Sequence, residues 1–267
     1  MNMTNYSDVS ENTEPLNVSA ADKAHQWRIC PIGKHYVKEH PLHIPSSREN
    51  PEGHDVKRRG HCADNPSHHD ILSYDELQLI TQNHFSNLIR LPSAGTLTQF
   101  PRADEFDRYI GGWVQYWNDI FKPEELLDPN SVKTLIASES SFRPESDTPQ
   151  RTPGKNKVIG HARGLMQLTE STWRIISGQE HTGEIKDHFI FVNHADIIDP
   201  SANICVGVRW LFTKKTEARE RLHRMATWDE AIAEYKGVLE GIIENTNPDP
   251  EHKMQKFHAL YTLLSKG

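Results

Sequence analysis

A chain of 267 residues can bury a sizeable core, either as one domain of about 200 residues plus a smaller unit or as two domains. Its formal net charge of −7 argues against a nucleic-acid binder that works by neutralising phosphates. Its longest apolar runs are too short to span a bilayer.

Met1 to Ala24 is polar and mildly acidic, with neither a basic n-region nor an apolar h-region, so it is not read as a Sec signal. Residues 1–24 are expected to form a disordered lead-in, and the whole chain to be soluble and made in the cytoplasm. Cys30, Cys62 and Cys205 have no metal-ligand or redox spacing; a Cys30–Cys62 disulfide is conceivable, and spacing alone does not establish it.

Residues 25–72 differ in composition, with Pro and His clustered: nine of the 16 histidines fall between His25 and His84. A weak repeat sets Val37-Lys38 against Val56-Lys57, nineteen residues on. Short segments punctuated by Pro and Gly suit a small β-rich or irregular unit. His61-Cys62 and His68-His69-Asp70 offer metal donors, but their spacing matches no zinc pattern, so no metal is expected. Lys57-Arg58-Arg59 reads as a solvated charged turn.

From residue 73 to 267 the periodicity is helical. Ser73 and Glu76 make a capping-box pattern opening a helix through Leu77, Ile80, His84 and Leu88. Phe106, Ile110, Trp113, Trp117 and Ile120 recur at helical spacing and form an aromatic stripe, read as core and not as a sugar platform. Arg143 to His161, rich in Pro, reads as a loop. Leu165, Leu168, Thr172 and Ile175 suggest a helical face with Gln167 near its start. Asp199-Pro200 opens another helix, with Ile204, Val208 and Leu211 inward, and Thr227 with Glu230 gives a second capping box. A last helix runs from about Glu251 to Ser265. No part of this stretch alternates convincingly as strand.

Within this body, Val132, Leu135, Ile136 and Glu139 share one helix face. The fourth position carries a carboxylate where another aliphatic is expected. An unpaired carboxylate in an apolar stripe is costly to ionise and tends to keep its proton, which is what a general acid for glycosidic cleavage needs. Taken alone, the helix could also end near Ser141 and leave Glu139 in solvent.

Four stretches, in order, resemble the lytic transglycosylase SLT domain of the lysozyme-like superfamily. They are Glu139-Ser140-Ser141-Phe142, Gly164-Leu165-Met166-Gln167, the helix from Asp199-Pro200 through Asn203-Ile204 and Gly207 to Trp210-Leu211, and Ala231 with Tyr235-Lys236-Gly237. The resemblance implies a mainly α fold, a lysozyme-like helical domain behind the small N-terminal unit, and cleavage of peptidoglycan glycan strands. It implies Glu139 as the one catalytic residue, acid then base, giving 1,6-anhydro-MurNAc ends without cofactor or metal. Ser140, Met166 and Gln167 would line the cleft, and Tyr235 would sit beside Glu139 and orient it. The chain departs from the pattern in a long Glu139–Gly164 gap, in Lys236 where Asn is common, and in Val238 after Gly237.

The substrate lies outside the cytoplasm, so the expected place of action is the periplasm or wall after specialised secretion, for example type VI. A secretion-system or immunity protein is then an expected partner, and nucleic acid is not. Two other functions compete: a hydrolytic muramidase, for which Asp147, Asp196 and Asp199 are candidate second carboxylates, and a non-catalytic wall-binding or secretion-apparatus module.

Overall fold

A computed structural model describes residues 26–48, 51–66, 69–152, 157–180, 182–246 and 249–266. The lead-in, His68 and the Pro153-Gly154 pair lie outside the described residues.

The N-terminal unit is a bent two-stranded ribbon. β1 (Lys34–Val37) pairs antiparallel with β4 (His61–Asp64), and β2 (His40–Ile44) with β3 (His54–Arg58). Cys30 and Cys62 are joined in a disulfide at its base. Arg28 fixes that base to the helices: it donates to Asp70 and Glu76 at 2.7 Å each and to the Ile71 carbonyl at 2.8 Å. Trp27, Ile71 and Leu72 lie in the same core as the helical body. β5 (Ile71–Ser73), which straddles the 72/73 boundary, pairs in parallel with β9 (Phe189–Phe191).

The body is helical, as expected. α1 (Tyr74–His84) starts at the Ser73 cap, whose hydroxyl accepts from the Glu76 N–H. Glu76 does not close the capping box. Its carboxylate, fully buried, accepts from Arg28 and from the Ile29 and Cys30 N–H groups. α2 (Asp107–Phe121) carries the aromatic stripe, and Phe106, Ile110, Trp113 and Trp117 are all buried, so it is core. α3 (Pro129–Ser140) begins with Asp128 as cap and Pro129 in its first turn.

α4 is short (Glu170–Ile176) and starts later than its sequence pattern suggests, because Thr169 caps it and Leu168–Thr169 is spent on a strand, β8. α5 (Pro200–Leu222), capped by Asp199, is the spine on which α1, α2, α4 and α6 (Trp228–Tyr235) pack. The Thr227–Glu230 capping box at α6 is complete. α7 (Leu239–Glu244) is a turn-and-a-half not foreseen in the sequence, and α8 (Lys253–Leu264) packs back on α3.

The expectation of no strand in the body is corrected. Residues 143–161, read as loop, hold β6 (Asp147–Arg151) and most of β7 (Val158–Arg163), which pair antiparallel, with β8 added beside β7. Most of their side chains are exposed on both faces, so backbone pairing holds the hairpin and no apolar alternation announces it.

Candidate active site

Glu139 lies in the last turn of α3, directly beyond Val132, Leu135 and Ile136, none of which has any exposure. What stops the helix there is a pair of left-handed residues, Ser141 (φ 53°) and Phe142 (φ 60°). Such a conformation costs a non-glycine residue on the order of 1 kcal/mol or more. It turns the chain so that Phe142 enters the core, stacked on Phe106 with ring centroids 6.4 Å apart. Burying a Phe side chain gains roughly 1.5–3 kcal/mol, which offsets the strain. The Glu139 side chain is left 22 % exposed at the helix end, neither in the core nor free in water.

Its partner is Lys236, the residue after α6. The ammonium, only 4 % exposed, lies 2.5 Å from Glu139 Oε1 and donates at 2.8 Å to Ser138 Oγ. The carboxylate is therefore paired, where the apolar-stripe argument assumed it alone. In the motif comparison Lys236 appeared only as a departure from Asn.

Tyr235 lies near Glu139, whose charge, after burial, pushes the phenol well above its usual range. The expectation that its hydroxyl orients the carboxylate is corrected. A phenol has one proton to give, and Tyr235 gives it to the Met166 carbonyl at 2.6 Å.

The Gly164–Gln167 turn is built on one buried amide. Asn203, on α5, accepts from the Met166 N–H at 2.7 Å and donates to the Ile197 and Arg163 carbonyls at 2.8 and 3.1 Å. Gly164 has φ +75°, and a Cβ there would fall 2.1 Å from Asn203 Nδ2, so both backbone and packing require glycine. Gly207 leaves room for Met166 in the same way, a Cβ there falling 2.2 Å from Sδ.

Of the expected cleft-lining residues, Met166 has no exposure and Ser140 has 1 %, with its hydroxyl donating to the Ile136 carbonyl. Both stand as floor beneath the site. Gln167 (φ 49°) donates from Nε2 to the Gly164 carbonyl at 2.9 Å and to that of Ser146 at 3.4 Å, tying the turn to the base of the β6–β7 hairpin.

Two of the candidate second carboxylates, Asp147 and Asp199, are engaged elsewhere. Asp147 bonds His161 and lies 3.3 Å from Arg163 Nε. Asp199 caps α5 and accepts from Gln78. Asp196 opens a 3-10 turn. Among the described residues no group of three or more His, Cys, Asp or Glu is disposed to hold a metal ion. In the same part of the chain, no helix is long and apolar enough to cross a membrane.

A mainly helical, lysozyme-like body with one carboxylate at a helix end, facing a turn pinned by a buried amide, defines the class. Residues 120–249 match the family model described as Transglycosylase SLT domain, and over this stretch the chain is similar to that family. The match spans all four motifs, and an SLT domain suggests transglycosylase activity toward peptidoglycan. No curated protein matches the chain.

Proposed function

We propose that this protein is a lytic transglycosylase that breaks the MurNAc–GlcNAc bond with Glu139 as its single acid and base. The observation that carries the reading is the placement of Glu139, mostly buried at the end of α3 inside the SLT match and held by Lys236. In the first half-reaction the carboxyl proton passes to the glycosidic oxygen as the C1–O bond breaks. In the second, the carboxylate takes the proton of the muramoyl C6 hydroxyl as its oxygen bonds to C1. No water is consumed, and the sugar ends as a 1,6-anhydro ring. The muramidase alternative is not favoured, because Asp147 and Asp199 are committed to other partners. A purely binding module would leave unexplained a lysine-held carboxylate at the cleft.

The site of action belongs to the same proposal. The Cys30–Cys62 disulfide supports an oxidising compartment, as in the periplasm, where the substrate also lies. Delivery by a contact-dependent secretion system, as an antibacterial effector with its immunity protein, remains part of this reading. Expression directed to the periplasm should be toxic where cytoplasmic expression and periplasmic Glu139→Gln are not.

The primary test is mass spectrometry of soluble products from purified peptidoglycan. Anhydro-muropeptides from the wild type and none from Glu139→Gln are expected. Reducing-end products would instead establish a hydrolase.

A further inference from the structure

We infer that Lys236 is a positioning residue for Glu139: it clamps one carboxylate oxygen and leaves the other to face the glycosidic bond. This inference rests on the transglycosylase reading above.

The clamp is built from both sides. On α3, Ser138 Oγ donates to the Leu135 carbonyl at 2.9 Å, so its lone pairs are free to receive the ammonium at 2.8 Å. Across from it, the Lys236 N–H is held by the Ile232 carbonyl at 2.9 Å, and Gly237 then turns the chain away at φ +67°. A lysine stem loses rotamer freedom when fixed, and here it is fixed, with the side chain 4 % exposed. Helix ends supply the reason a cation is stable there. The carboxyl ends of α3 and α6, both partially negative, carry Glu139 and Lys236. A neutral side chain at position 236 would leave the carboxylate at the negative end of α3 with no counter-charge.

Only Glu139 Oε1 is taken by Lys236. The tyrosine that might have held the carboxylate is bonded to Met166 instead. Among the described residues, the charged or titratable groups set against Glu139 are the Lys236 ammonium and the Tyr235 phenol, both from the end of α6 and the turn after it.

The test compares wild type, Glu139→Gln, Lys236→Met, Lys236→Arg and Ser138→Ala on purified peptidoglycan, with thermal denaturation of each. Loss of the clamp lets the carboxylate swing, and a misplacement near 1 Å is worth about a hundredfold. Lys236→Met should lower kcat by about ten- to a hundredfold with KM little changed. Lys236→Arg should restore part of kcat. Ser138→Ala, the milder variant should Lys236→Met fold poorly, should lower kcat severalfold and add little on the Lys236→Met background, since both act on one carboxylate. A Lys236→Met enzyme that keeps its kcat overturns the inference. So does one that loses activity only in step with its folded fraction, with kcat per folded molecule unchanged and no rescue by Lys236→Arg. A wild type that releases no product sinks the transglycosylase reading, and the inference with it.

Discussion

Asn203→Ala is expected to unhinge the active-site turn, and the structure sets the size of the effect. The side chain has no exposure, so nothing replaces it from solvent without rearrangement. Truncation strands the Met166 N–H, which loses its acceptor at 2.7 Å, at roughly 1–3 kcal/mol for a buried orphan donor. The Ile197 and Arg163 carbonyls each lose a donor, at about 1 kcal/mol apiece. The sum is about 3–5 kcal/mol, a large share of the roughly 5–15 kcal/mol of a typical domain. Urea denaturation should show it as a lower midpoint at unchanged slope. Amide exchange at Met166 should accelerate more than at Ile136 on α3, and activity should fall because the Met166 carbonyl is what Tyr235 holds. Asn203→Asp keeps the shape and the acceptor for Met166, but turns a second oxygen toward two carbonyls. It should be destabilised at neutral pH and recover as acid supplies the missing proton. An alanine variant within about 1 kcal/mol of wild type, or an aspartate variant indistinguishable from it, would refute the keystone role.

Gly164→Ala must displace the same amide, so the packing part of its cost should vanish in the Asn203→Ala background while the strain at φ +75° stays; fully additive losses in a double-mutant cycle would contradict this. Reducing the Cys30–Cys62 bond, or Cys30→Ala, releases a link across a sequence separation of 32; loop-closure entropy puts this at about 3.7 kcal/mol, readable as a lower denaturation midpoint under reducing conditions. Asp107 beside the buried Lys133 is pushed up to about 6 by burial, which outweighs the lysine. The folded state therefore holds a proton that the unfolded state has lost between the ordinary 3.8 and about 6, and this group's contribution to stability falls as pH rises through that window. Asp104, held low by its hydrogen bond to Lys133, has the opposite sign, its contribution being lost as pH falls below the ordinary value. Asp107→Asn should remove the first slope and leave the second, as read by denaturation midpoints across pH 3–7.

What was legible in the sequence was whatever one-dimensional pattern physics writes strongly. The stripe on α2 and the caps at Ser73, Asp199 and Thr227 are local signals, each satisfied within one helix turn. The β6–β7 hairpin left no such trace, because exposed strands have no inside to alternate against. Position 76 shows the limit of a cap signal: Glu76 stands at the right spacing, yet its carboxylate serves Arg28 and the 29–30 backbone, 46 and more residues away in sequence.

The candidate site divides along the same line. Glu139 could be singled out because an acid in an aliphatic stripe is a local anomaly. Its surroundings could not, because they come from α5 and α6, and pairing across 97 residues has no period. Asn203, Gly164 and Gly207 stand in the motifs, but nothing in one dimension says that they meet. In three, the glycines are the two places where a Cβ would collide with the amide or the thioether beneath the turn. Lys236 is the clearest case. Against the family pattern it is a departure from Asn; against the ends of α3 and α6 it is the cation paired with the carboxylate proposed to be catalytic. A departure from a motif is thus best judged by the charge and helix ends it meets, since those determine whether a change of residue removes a function or retunes it.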